Sequence, residues 1–225
     1  MAKLLLIQSR TKPGSIKREF NNFTRALGGL SKLDALSALD ERLAWTYPDE
    51  ILKDYDGVMF GGSSDFDLHG GRDEKDPARI MAAIILSRVR MIVRYALAEE
   101  KPLFGVCFGH QLIAEMHGGE VRKDEGQGKR GAHEVVVNKS GKSDPVFGSV
   151  AESFGAHYLH NDSVTMLPKG ATLLASGASC RFSALRYGQK VYTVQFHPEI
   201  QCACLNGSPE ASRVIHMWLD RVIAS

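Results

Sequence analysis

Residues Gly105-Val106-Cys107-Phe108-Gly109 set a cysteine between two glycines, behind the apolar pair Leu103-Phe104 and ahead of His110-Gln111-Leu112-Ile113-Ala114. The pattern reads as a nucleophile elbow: a buried strand ends in a turn so tight that the flanking positions favour glycine, and a helix begins at once beyond it. Such a turn thrusts Cys107 out of the sheet edge. The helix N-terminus behind it offers unpaired N–H groups and a positive dipole end, which favour thiolate over thiol and stabilise an oxyanion. The competing reading is an inert core cysteine between chance glycines.

A second stretch weighs against that alternative. Val191-Tyr192-Thr193-Val194-Gln195-Phe196 is rich in β-branched and aromatic residues and delivers His197-Pro198-Glu199 just past its end. A nucleophilic cysteine needs a base, and the base needs an orienter. His197 can take the thiol proton and later protonate a leaving amine, while Glu199 holds the imidazole tautomer and stabilises the imidazolium. A third strand, Asp56-Gly57-Val58-Met59-Phe60, runs into Gly61-Gly62-Ser63-Ser64. Paired glycines at a strand end let backbone N–H groups approach a substrate closely, and one of them together with the Phe108 N–H would make a two-donor oxyanion hole.

Gly-Gly-Ser-Ser, Gly-Val-Cys-Phe-Gly-His-Gln-Leu-Ile-Ala and Phe-His-Pro-Glu, in that order, resemble the class I (triad) glutamine amidotransferase domain, and within it the GMP-synthetase-type amidotransferase. His160-Asn161-Asp162-Ser163-Val164, with Leu167-Pro168 behind it, resembles a further family segment. The resemblance implies a flavodoxin-like fold, a triad of Cys107, His197 and Glu199, and oxyanion N–H groups from Gly62 and Phe108. It places Gly61, Gln111, His160 and Asp162 in the substrate pocket. It implies a glutaminase that forms a cysteinyl thioester, with no metal or organic cofactor, and a separate synthetase subunit that receives the ammonia. The chain departs from the family in lacking the proline soon after the paired glycines and in a longer stretch from Gly62 to Cys107. That altered loop, Ser63 to Asp76, is expected to close over the site as a lid. It also leaves room for an alternative, a stand-alone hydrolase of γ-glutamyl peptides using the same three residues; a further alternative is a non-catalytic regulatory module of the same fold.

The elements that must position these residues read as β-α-β-β-α-β-α followed by a strand-rich half. Leu4 to Gln8 opens the sheet, Ser15 to Leu27 forms a helix stopped by Gly28-Gly29, and Leu33 to Leu43 is ambiguous between strand and helix. Asp76-Pro77 is an N-cap and first helical position for a helical region to Glu100, with room for a break near Ser87 to Arg90. His117-Gly118-Gly119 ends the elbow helix. Glu134 to Val137, Thr172 to Ala175 and Phe182 to Tyr187 read as strands, the last joined to Val191 by a two-residue Gly188-Gln189 turn. Ser208-Pro209-Glu210 caps a final helix with Val214, Met217, Trp218 and Val222 on one apolar face. The expected fold is therefore α/β: a central, mostly parallel sheet with helices on both faces and antiparallel strands added at its edge. Its site should lie at the carboxyl ends of the strands.

Composition narrows the class. A chain of 225 residues, 44% hydrophobic, buries a substantial core as a single domain over residues 1–225. A net charge of +2 without a long run of like charge makes no case for nucleic acid or a membrane surface. Arg122-Lys123, Asp124-Glu125 and Lys129-Arg130 read as one solvated loop. The apolar run at residues 4–7 is too short for a signal segment, and Arg88, Arg90 and Arg94 interrupt the most apolar later stretch. The expectation is a cytoplasmic, reducing compartment in which the four cysteines need no disulfides. Cys202-Ala203-Cys204 lacks a second cysteine pair and reads as a loop in preference to a metal site.

Overall fold

The computed structural model describes residues 1–178, 180–201 and 209–224. Strand β1 (Ala2–Gln8) is followed by α1 (Pro13–Leu27), β2 (Ser31–Ser37), α2 (Pro48–Leu52), β3 (Gly57–Phe60), α3 (Pro77–Ala98), β4 (Leu103–Val106) and α4 (Phe108–Met116). The second half contributes β5 (Glu120–Lys123), β6 (Lys129–Val137), the short α5 (Lys139–Lys142), β7 (Ser153–His160), β8 (Asp162–Met166), β9 (Ala171–Gly177), β10 (Cys180–Tyr187), β11 (Val191–Val194) and α6 (Glu210–Trp218).

Nine strands form one sheet in the order β2-β1-β3-β4-β11-β10-β9-β6-β7. The pairings from β2 through β11 are parallel, and those from β11 through β7 are antiparallel. Alternation of β1 divides the core between two faces. Leu4 and Leu6 join Phe23 of α1 and Trp218 of α6, while Leu5 and Ile7 join Ile85, Val89 and Ile92 of α3. All four β1 residues are fully buried, as expected of a parallel strand covered on both sides. Local signals set the helix ends. Gly28 closes α1 in the left-handed region at φ +59°, and Asp76 caps α3 by accepting the Ala78 N–H at 2.8 Å.

Several expectations change. Leu33 belongs to the edge strand β2, and the chain turns away from the sheet after Ser37. Helix α3 runs unbroken, because Val89, Ile92 and Val93 stay on its buried face while Arg90 and Arg94 do not. The stretch 122–130, expected as a solvated loop, is two strand ends around a short turn. There β5 pairs with β8, β6 pairs with β7, and Gln127 is buried, donating to Asp124 and accepting from the Arg181 N–H. The β10–β11 connection has three residues, since Tyr187 pairs with Val191. Val214, Trp218 and Val222 are core, as expected, and Met217 is only partly buried. The Ser208 cap and Cys202-Ala203-Cys204 lie outside the described residues. Among the described residues no helix is long and apolar enough to cross a membrane.

Candidate active site

Cys107 stands between the end of β4 and the start of α4 with φ +53° and ψ −100°, a conformation rare for any residue with a Cβ. The glycines beside it are demanded by close approach, not by dihedral angle. A Cβ at Gly109 would lie 2.6 Å from Phe60 Cβ and 2.9 Å from the Phe60 carbonyl oxygen. One at Gly105 would meet Gly109, Ile113 and Thr193 at 3.1 Å each. Helix α4 is thus pressed against the ends of β3 and β11, and the Gly109 N–H donates to the Gly61 carbonyl at 3.2 Å. The parallel strands β3, β4 and β11 all end here, so the expected carboxyl-edge location is met.

His197 and Glu199 follow β11 in a turn. The imidazole Nδ1 and Glu199 Oε1 are 2.6 Å apart, and both residues are buried. Burial opposes charge on His197, yet the Glu199 carboxylate and then Cys107 outweigh it and hold the imidazole well above its ordinary pKa. With Nδ1 committed to Glu199, Nε2 has no hydrogen-bond partner among the described residues, although Cys107 is close enough to raise the ring's basicity. The Cys107 thiol is directed to the Leu159 carbonyl, Sγ to O 3.7 Å. A Cβ placed on Gly62 would lie 3.1 Å from His197 Cε1 and 3.5 Å from Cys107 Cβ, so Gly62 is wedged against both.

A cavity of about 220 Å³ opens over the thiol, with Phe108, Gln111, His160 and Asp162 on its wall beside Ser63, Arg10 and Arg130. Gln111 is buried there, its Nε2 donating to the Asp162 carbonyl at 2.7 Å and to Gln195 Oε1 at 3.1 Å. His160 Nδ1 is 2.9 Å from the same carbonyl, and burial pushes its pKa down to about 4, so it is neutral, with Nε2 unpartnered among the described residues. The other expected pocket residues are used differently. The Asp162 carboxylate accepts the His69 N–H at 2.8 Å and the Gly70 N–H at 2.7 Å, so it clamps the 63–76 loop and leaves little free for a ligand. The loop is anchored again where Asp65 accepts from the Thr11 N–H and hydroxyl at 2.8 Å. Gly61 does not line the cavity, because its N–H donates to Ile7 and its carbonyl accepts from Gly109.

Gly62 requires the main correction. Its N–H does not stand free as an oxyanion donor but is given to Glu19 Oε1 at 3.0 Å, buried against α1. The Phe108 N–H, in the first turn of α4, has no protein acceptor among the described residues. Glu19 and Arg10 escaped the sequence reading. The signal was present, since Ile16, Glu19, Phe23 and Ala26 share one helical stripe and a carboxylate on that stripe needs a partner.

A cysteine on a strand-to-helix elbow, at the carboxyl edge of a parallel sheet, defines an α/β protein built around a presented thiol. The sequence profile of the family "Glutamine amidotransferase class-I" matches residues 42–216. The glutamine-hydrolysing GMP synthase subunit from Archaeoglobus fulgidus is 31% identical over 69% of this chain and 72% of its own length. The protein of the same name from Sulfurisphaera tokodaii is 32% identical over 68% and 72%. A glutamine amidotransferase structure from Thermotoga maritima superposes with a TM-score of 0.71 over the whole of both chains at 17% identity, which speaks to the fold alone. This chain belongs to the class I glutamine amidotransferase family.

Proposed function

We propose that the chain hydrolyses the side-chain amide of glutamine and passes the ammonia to a separate synthetase subunit; its relatives are named as glutamine-hydrolysing GMP synthase subunits. The observation that carries this reading is Cys107 in its positive-φ elbow beside the buried His197–Glu199 pair. In the proposed reaction His197 takes the Cys107 proton, and the sulfur attacks the amide carbon. The resulting oxyanion draws on the Phe108 N–H and the Gly62 segment. His197 returns the proton to the departing nitrogen, giving ammonia and a thioester. It then activates water, which releases glutamate and restores the thiol. Glu199 keeps the imidazole oriented and supports its charge. The residues 1–225 act as one catalytic unit in a reducing, cytoplasmic compartment that keeps the thiol free.

Closure of the 63–76 loop over a cavity of about 220 Å³ favours a substrate with a small leaving group over a γ-glutamyl peptide. The test is incubation of the purified chain with glutamine, glutathione and a γ-glutamyl dipeptide while glutamate is measured, alone and with a GMP-synthase-type synthetase subunit. Glutamine preference with stimulation by the synthetase supports the proposal. Full activity in isolation with preference for the dipeptide in kcat/KM replaces it with the γ-glutamyl hydrolase.

A further inference from the structure

Resting on the glutaminase reading, we propose that the buried Glu19–Arg10 pair is a positioning device that holds the Gly62 amide in competition with the reaction's oxyanion. Glu19 Oε1 accepts from both Arg10 Nη2 at 2.8 Å and the Gly62 N–H at 3.0 Å, while Oε2 accepts from Gln8 Nε2 at 3.0 Å. The contact is built into the fold. Gln8 ends β1, Arg10 follows it, Glu19 sits on the inward face of α1, and Gly62 follows β3. A Cβ on Gly61 would come within 2.7 Å of Glu19 Oε1, so glycine there is what lets the carboxylate come so near.

The pair also lies at the reaction centre. The position a Gly62 Cβ would take is 3.3 Å from Arg10 Nη2, against 3.1 Å from His197 Cε1 and 3.5 Å from Cys107 Cβ. Of the two amides expected to meet the oxyanion, Phe108 is unengaged among the described residues and Gly62 is held. For both to donate, the Gly62 peptide must turn from the carboxylate toward the sulfur. Releasing it does not strand a buried charge, since Arg10 and Gln8 remain on Glu19. The Arg10 guanidinium also braces the loop beyond, donating to Ser64 Oγ at 3.2 Å. Two anions therefore compete for one N–H, and the oxyanion exists only in the tetrahedral transition state and intermediate. An interaction of that kind acts on kcat and leaves substrate binding alone.

The test replaces the carboxylate with an acceptor of the same shape and no charge. A bond to a charged acceptor is roughly twice as strong as one to a neutral acceptor, so Glu19→Gln in the full chain is expected to raise kcat for glutamine about three- to tenfold with KM within about twofold. The double variant Arg10→Met/Glu19→Gln, which removes the charge left unpaired on Arg10, is expected to behave alike. Alkylation of Cys107 by iodoacetamide, a displacement with no oxyanion, measures any change in the thiolate itself, on which the Arg10 charge acts, and the rise in kcat should exceed that change in both variants. A readout independent of turnover is the Gly62 amide proton resonance, expected far downfield in the wild type and shifted upfield in Glu19→Gln. A fall in kcat in both folded variants with alkylation unchanged overturns the proposal, as does an unmoved Gly62 resonance. A wild-type chain that releases no glutamate from glutamine sinks the glutaminase reading instead, and the resonance still decides whether Glu19 holds Gly62.

Discussion

His197 Nδ1 and Glu199 Oε1 meet at 2.6 Å although only Pro198 separates the two residues in the chain. The contact fixes which ring nitrogen faces the sulfur. Because the pair is buried, the carboxylate's support of imidazolium is little screened by solvent. The division of labour that follows makes the three side chains unequal.

Cys107→Ala is expected to abolish glutamate release, and a glutamine-like electrophile should label Cys107, which lines the cavity, while sparing Cys180, which does not line it and whose thiol pKa is pushed up to about 11 by burial. His197→Ala should cost at least about 10³-fold in kcat, and Glu199→Ala about 10- to 100-fold, since an orienter is less essential than a base. Steady-state kinetics with all three proteins checks the ranking. Turnover retained in Cys107→Ala would end the covalent mechanism, and equally small losses in the other two would dissolve the triad.

The raised basicity of His197 has a consequence for stability. Its native pKa lies above the unfolded value near 6.5, so the charged form is favoured by folding. That contribution is fully present below about pH 6.5 and fades as pH rises through the higher native value. Urea midpoints of the wild type and His197→Gln, compared at acid and alkaline pH, should show a wild-type advantage that shrinks toward alkaline pH. A difference constant with pH contradicts it. Loss of packing in the variant is independent of pH and does not mimic the trend.

The elbow and the His-Pro-Glu turn were legible in the sequence because their constraints are local: glycines two positions either side of Cys107, and a base and its orienter in one turn. Strands β1, β3, β4 and β11 were legible for a similar reason, each carrying a short, mostly apolar run. The strands β2, β5, β7 and β8 were not. β2 is an edge strand with exposed Lys32 and Asp34, and β5 buries only Val121 fully, so neither carries a two-residue alternation strong enough to read. The fate of Gly62 was out of reach, because its partner Glu19 is remote in sequence and competes for an N–H that the motif alone assigns to a ligand.

Gly109→Ala tests the steric origin of the elbow. The new Cβ would sit 2.6 Å from Phe60 Cβ and 2.9 Å from the Phe60 carbonyl oxygen, and the second of these is backbone that no rotamer change can move. Displacing α4 from β3 should cost about 1–3 kcal/mol in urea unfolding, the range of overpacked cores, and lower activity further by shifting Cys107. A stability within about 0.5 kcal/mol of wild type would mean that α4 relaxes freely and that the glycine is not sterically required.

The loop over the site provides the last test. Asp162 joins it to the pocket wall through two backbone N–H groups, His69 at 2.8 Å and Gly70 at 2.7 Å; burial raises the pKa of this carboxylate, and the two bonds oppose the rise. Asp162→Asn keeps the size of the side chain but weakens the charge-assisted bonds and offers one acceptor where there were two. The Asp162 carbonyl that holds Gln111 and His160 belongs to the backbone and is retained. The variant should therefore keep the pocket wall while letting the loop open. KM for glutamine is expected to rise about tenfold, cleavage within residues 63–76 by an added protease to become faster, and γ-glutamyl dipeptide turnover to gain relative to glutamine. Unchanged proteolysis together with unchanged substrate preference would mean that the Asp65–Thr11 anchor suffices to hold the loop and that Asp162 is not its clamp.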